Sequence, residues 1–197
     1  MGEKIKTAIE IAMEKASKLE DLSDTEKEAI ENKKKLEPLM SGFYKTLLKP
    51  EDLWVKLKGE KQSLLNMAQL NLLDSLKFKV DKDELQRRIK AIIAIESLKK
   101  EQKTSAIQQS LSMLDSLIKR AETEKKHVYE QFKKAIENNP QARNRVIEQD
   151  GAKVILKLSV EDAILQNPQW KQFIGEFEAR NEKEFSEIIL QIKKYIN

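Results

Sequence analysis

The sequence predicts a mainly α fold: an elongated helical bundle around one long central helix, with room for a minor short sheet. Three observations carry that expectation. Five Gly and four Pro in 197 residues are too few for the tight turns of an all-β chain. Residues 81–138 contain neither Gly nor Pro; as one helix they would span about 87 Å at roughly 1.5 Å per residue. Within that stretch Thr104, Ile107, Leu111, Leu114, Ile118, Ala121, Lys125, Val128, Phe132 and Ala135 recur at alternating spacings of three and four. That heptad pattern buries one stripe of a helix against another.

The remaining elements follow in chain order. Glu3 to Leu19 is amphipathic, with Ile5, Ala8, Ile9, Ala12, Met13, Ala16 and Leu19 on one face. Such a helix docks on the core, on a partner groove or on a membrane surface, and its lack of aromatics weighs against the last. Ser23 and Glu26 form a capping box that opens a second helix through about Leu36, which Pro38 ends or kinks. Pro50 with Glu51 and Asp52 starts another. Residues 53–58 read either as a helical turn or as a strand with Leu53, Val55 and Leu57 on one face. Glu60 to Leu76 is apolar nearly all round, as expected of the most buried helix.

Residues 77–80 alternate like a strand, and Asp81 with Glu84 forms a capping box into the long helix. The first stripe of that helix (Leu85, Ile89, Ile92, Glu96, Lys99) is out of phase with the later seam. The phase changes within 96–104, where a kink, a new packing partner or a break would serve. With no Gly or Pro there, an unbroken helix is expected. Asn139-Pro140 stops it and caps a further helix that Gly151 ends. Val154 to Leu158 reads as a strand, Ser159 to Asp162 caps a short helix, and Asn167-Pro168 starts a final one reaching Tyr195. A single small sheet would combine 53–58, 77–80 and 154–158. The division implied is a helical bundle over 1–138 and a C-terminal helical segment over 139–197, which packs on it or forms a small subdomain.

The charge is nearly balanced: 37 Lys and Arg against 33 Asp and Glu, a net +4, although the pI is ≈ 9.0. Lysine pairs such as Lys125-Lys126 and Lys133-Lys134 stand among Glu and Gln, the mixed-sign pattern of a solvated helix face. The chain has no Cys, which removes disulfides and thiolate chemistry. Its longest apolar run, 91–95, is far below the roughly 20 residues of a membrane span, and no secretory leader follows Met1; a cytoplasmic location is expected.

Chemistry is hard to find. His127 is the only histidine. Glu124 and His127 have the one-turn spacing of di-iron bundles, but those need a second such pair. Gly59-Glu60-Lys61 lacks the rest of a phosphate loop, and residues 81–84 lack an EF-hand's Gly and terminal Glu. Arg87-Arg88 and Arg143 with Arg145 have no aromatic platform for single strands nearby. Trp54 and Trp170 read as core anchors. No catalytic, cofactor-binding or metal-binding residue is expected, and no cofactor.

The opening, Met1-Gly2-Glu3-Lys4-Ile5-Lys6-Thr7-Ala8-Ile9-Glu10-Ile11-Ala12-Met13-Glu14-Lys15, resembles the start of small helical proteins of uncharacterised bacterial families. The resemblance implies a bacterial cytoplasmic protein and no particular activity.

The function expected is that of a non-enzymatic helical interaction or scaffold protein acting through its apolar seams. Leu111, Leu114, Ile118, Val128 and Phe132 are the expected interface, and a protein partner or a second copy the expected occupant. The alternative is a weak nucleic-acid-binding protein using Lys and Arg on exposed helix faces.

Overall fold

The computed structural model describes residues 22–149 and 152–197. Its elements are α1 (Asp24–Tyr44), α2 (Pro50–Leu57), α3 (Gln62–Asp74), α4 (Lys82–Glu96), α5 (Thr104–Asn138), a 3-10 turn (Pro140–Arg143), β1 (Asn144–Gln149), β2 (Ala152–Lys157), α6 (Val160–Gln166) and α7 (Pro168–Ile196). The protein is mainly α, with one two-stranded antiparallel sheet among the described residues. The expected helix Glu3–Leu19 lies outside them. The described residues fall into two compact units. One holds 22–76, Asp81–Thr104 and Ile196–Asn197; the other holds Lys77–Val80 and Ser105–Tyr195.

In the first unit, α1 packs on α2 and α3, and α4 packs on α2 and α3. The Ser23 capping box is present: the Ser23 hydroxyl accepts from the Glu26 N–H at 3.4 Å, and the Glu26 carboxylate accepts from the Ser23 N–H at 2.9 Å. Of the two outcomes expected at Pro38, an end is excluded: α1 runs through Pro38 to Tyr44. Pro38 lies on the solvent side, where the carbonyl it leaves unbonded can meet water. Leu36, Met40 and Phe43, flanking it, are buried and hold the helix together. Where α1 ends, Gly42 leaves room for the returning chain: a Cβ there would stand 3.1 Å from Leu48 Cδ1.

Residues 53–58 are not a strand. α2 starts at Pro50, and the Asp52 carboxylate accepts the Lys49 N–H at 2.8 Å. A strand would have placed Leu53, Val55 and Leu57 on one face; instead Leu53 and Leu57 are buried one turn apart and Val55 is 66% exposed. α3 carries the densest core, with Leu64, Leu65, Ala68, Leu72 and Leu73 all buried. At the start of α4, Asp81 accepts from the Asp83 and Glu84 N–H groups. The reciprocal half of the expected box is absent, because Glu84 binds Arg87 and Arg88 instead.

Residues 81–138 are two helices, not one. α4 ends at Glu96, and 97–103 form an irregular connection before α5. The break needs no Gly or Pro because the Glu96 side chain accepts the Lys103 N–H at 2.6 Å, folding the connection back on the end of α4.

In the second unit, α5 and α7 run antiparallel. Arg120 meets Glu184 at 2.8 Å, Arg180 meets Glu124 at 2.6 Å, and Phe132 and Tyr129 meet Trp170, so numbers rise on one helix as they fall on the other. α7 starts as Asn167-Pro168 suggests, with Asn167 Oδ1 accepting from the Gln169 and Trp170 N–H groups. Ser159 caps α6 by accepting from Asp162 N–H at 3.0 Å. Residues 77–80 form a turn, closed by Val80 N–H donating to Lys77 C=O at 3.0 Å. Phe78 packs its ring against Phe177 and Phe185.

The expected helix between Pro140 and Gly151 is replaced by the 3-10 turn and β1. β1 pairs antiparallel with β2, Val146 opposite Ile155 and Glu148 opposite Lys153. Of the three strand-like runs, only the last is a strand, and its partner is a stretch read as helix. The signal for strands here is the pair of β-branched runs Val146-Ile147 and Val154-Ile155, which suit a pleated surface better than a helix.

Candidate functional site

The five seam residues do not lie on an open surface. Leu111, Leu114 and Ile118 are buried. Val128 and Phe132 are half-buried against a cluster of Ile136, Ala163, Ile164 and Trp170, with Phe132 and Trp170 ring centroids 5.6 Å apart, edge to face. The stripe is covered from Ile107 to Ala121, whereas Val128 and Phe132 keep part of their surface open; further open surface lies elsewhere.

The charged residues singled out in the sequence are occupied structurally. Arg87 donates to the Phe43 carbonyl at 2.7 Å and stacks 4.0 Å above the Phe43 ring. Arg88 donates to the Ser75 carbonyl. Both also bind Glu84 at 2.8 Å. The twin arginines thus satisfy carbonyls at the ends of α1 and α3, where a cation also complements the helix dipole. Burial pushes the Glu84 carboxyl upward, but the bonds from Arg87 and Arg88 outweigh it and hold the group below its ordinary value. Replacing Arg87 with Met is expected to cost about 1.5–3 kcal/mol, the range for hydrogen bonds to charged groups. Urea unfolding would measure it.

Arg143 donates to the Leu158 carbonyl at 2.7 Å, and Arg145 bonds the Gln166 side chain. Glu124 is turned to Arg180 while His127 is exposed beside Gln131, so the Glu-x-x-His pair does not converge. Among the described residues no group of three or more His, Cys, Asp and Glu is placed to hold a metal ion, and no helix is long and apolar enough to cross a membrane.

Three features remain that sequence reading did not anticipate. The first is an open groove of about 760 Å³ along α1, lined across its floor by Ile30, Leu36, Met40 and Met67. Lys33, Glu37 and Lys45 also line it, and Tyr44 closes it by donating to the Asn71 carbonyl at 2.9 Å. Its residues stand three and four apart on α1 and so share a face.

The second feature is a buried charge cluster. Glu96 and Lys99 are 1% and 4% exposed and pair at 3.1 Å. Gln69 of α3 donates to the Glu96 carboxylate at 3.0 Å and to the Ile92 carbonyl at 2.9 Å, while its own oxygen has no partner. Burial pushes the Lys99 amine below its ordinary value; the bond and charge of Glu96 counter this only in part. The pair's apparent place in the sequence was the apolar stripe of α4, which is why its partners were not legible there.

The third feature is the hairpin. Val146 and Ile155, opposite one another, are 61% and 67% exposed. Asn144, Glu148, Lys153 and Lys157 surround them and are exposed as well.

In comparison with known proteins, residues 51–197 match a family of unknown function (DUF6657). The match does not include the opening fifteen residues that carry the bacterial resemblance. No curated protein and no solved structure matches the chain.

Proposed function

We propose that this chain, which belongs to the DUF6657 family, is a non-enzymatic helical interaction or scaffold protein of the cytoplasm. The observation that supports this best is the groove along α1. Its floor of Ile30, Leu36, Met40 and Met67 suits the apolar stripe of an amphipathic helix. Methionines in such a floor adapt to side chains of different shape. Two lysines and one glutamate among the lining residues favour a partner helix whose stripe is flanked by acidic residues. Copies of the chain also associate with one another in this reading.

A photo-crosslinking amino acid at Lys33 in the native host tests the groove. One dominant crosslinked protein, lost when Ile30 and Met67 are both replaced by Glu, is the expected result. Ile30 and Met67 are only half-buried, so the double variant should keep its circular dichroism. Unchanged crosslinking in that variant would overturn the assignment. The nucleic-acid alternative makes a separate forecast: binding of a DNA duplex that weakens steeply with salt.

A further inference from the structure

The hairpin is a sheet of two strands only, and two strands with no further cover are marginal in water. Both outer edges are unpaired with any other strand among the described residues. Which backbone groups face outward follows from the ladder. Leu158 N–H donates to Arg143 C=O at 2.9 Å, and that pair continues the register Asn144↔Lys157. Hydrogen-bonded pairs alternate with non-bonded ones in an antiparallel ladder. Arg143–Leu158 and Arg145–Leu156 are therefore bonded pairs. Asn144, Val146 and Glu148 on β1, and Lys153, Ile155 and Lys157 on β2, turn their backbone groups to the outside. Their side chains share one face of the sheet.

We propose that a second copy of this chain pairs antiparallel along β1, about a two-fold axis through Val146, to make a four-stranded sheet. This rests on the reading that the chain self-associates, and gives it a place. A two-fold axis normal to a sheet brings residues of the same parity opposite one another, because paired residues must point to the same face. The pairing of outward residues with greatest overlap puts Val146 opposite the second copy's Val146 and Asn144 opposite its Glu148. The exposed pair Val146–Ile155 then becomes a continuous row of four β-branched side chains. Each flanking row sets Glu148 between its own Lys153 and the second copy's Asn144.

Charge excludes the other edge. The equivalent two-fold pairing along β2, centred on Ile155, would place Lys153 opposite the second copy's Lys157 twice. Like charges directly opposite are destabilising, and edge lysines are a common bar to strand addition. The chain is thus open to its own copy on one edge and closed on the other.

Cysteine scanning tests this directly, because the full chain has no Cys of its own. Bonded residues across the axis have Cα atoms about 5.5 Å apart, inside the range a disulfide spans. Val146→Cys should oxidise to a disulfide-linked dimer. Ile155→Cys should not, since its copy would be three strand steps away, roughly 14 Å at about 4.8 Å per step. Light scattering of the untreated chain across the micromolar range runs beside it, with Val146→Lys expected to weaken the dimer about tenfold through the lost Val–Val pair together with two facing lysines. Crosslinking through Ile155→Cys instead would place the contact on β2 and overturn the proposal. A dimer by light scattering that neither cysteine traps, or that Val146→Lys leaves intact, would overturn it while leaving self-association standing. A monomer at every concentration would overturn both.

Discussion

Replacing Glu96 with Ala is expected to destabilise the protein by about 3–5 kcal/mol, the cost of stranding one member of a buried ion pair. Glu96 and Lys99 are almost fully buried. Three donors converge on the one carboxylate: Lys99 Nζ at 3.1 Å, the Gln69 amide at 3.0 Å and the Lys103 N–H at 2.6 Å. Without it the Lys99 ammonium stays buried with no counter-charge, and the 97–103 connection loses its tie to α4. Adding Lys99→Met should recover only part of the loss, because the Gln69 amide and the Lys103 N–H remain without an acceptor. A loss under about 1 kcal/mol by urea unfolding would mean that water reaches Lys99.

The pair also carries a pH signature. Lys99 is held below its ordinary value of 10.5, so between its folded value and 10.5 the unfolded chain binds more protons than the folded one. Stability then rises with pH in that window. The expected result is that Lys99→Met removes this rise relative to the parent chain. Lys79 works in the opposite sense, its amine being raised chiefly by the bond to Glu178, and it is common to both proteins, so the difference between them isolates Lys99.

Trp170→Ala is the second large effect, about 3–5 kcal/mol for emptying an aromatic core site. The indole is 5% exposed and meets Tyr129, Phe132 and Phe173 at centroid distances of 5.7, 5.6 and 5.6 Å. It therefore joins α5 to the start of α7 through ring contacts from both. Trp170→Phe keeps much of that contact and should cost far less. Unfolding followed by circular dichroism measures the loss, and the remaining Trp54 reports on the unit formed around α1–α4. A loss from Trp170→Ala no larger than from Trp170→Phe would mean the neighbouring rings close over the gap.

What the sequence by itself determined was local. Ser23, Asp81, Ser159 and Asn167 each cap the helix their position announced, because a cap is a bond between residues two or three apart. The apolar spacing from Ile107 to Ala121 marked the buried stripe of α5, since 3.6-residue periodicity is written in the order of residues. The choice between helix and strand for residues 53–58 was open locally; burial of Leu53 and Leu57 with Val55 left outside decided it. Tertiary structure alone decided the rest. Pro38 passes inside α1 because Leu36, Met40 and Phe43 are anchored on both sides of it. The long helix breaks after Glu96 because a carboxylate finds Lys99, Lys103 and, from a different helix, Gln69. The arginines at 87 and 88 serve carbonyls more than ten residues away in sequence. The apolar seam found its cover within the chain from Ile107 to Ala121, and a further partner surface depends on which groove and which strand edge the packed helices leave open. Each of these outcomes includes at least one contact between distant segments, whose energy no local pattern contains.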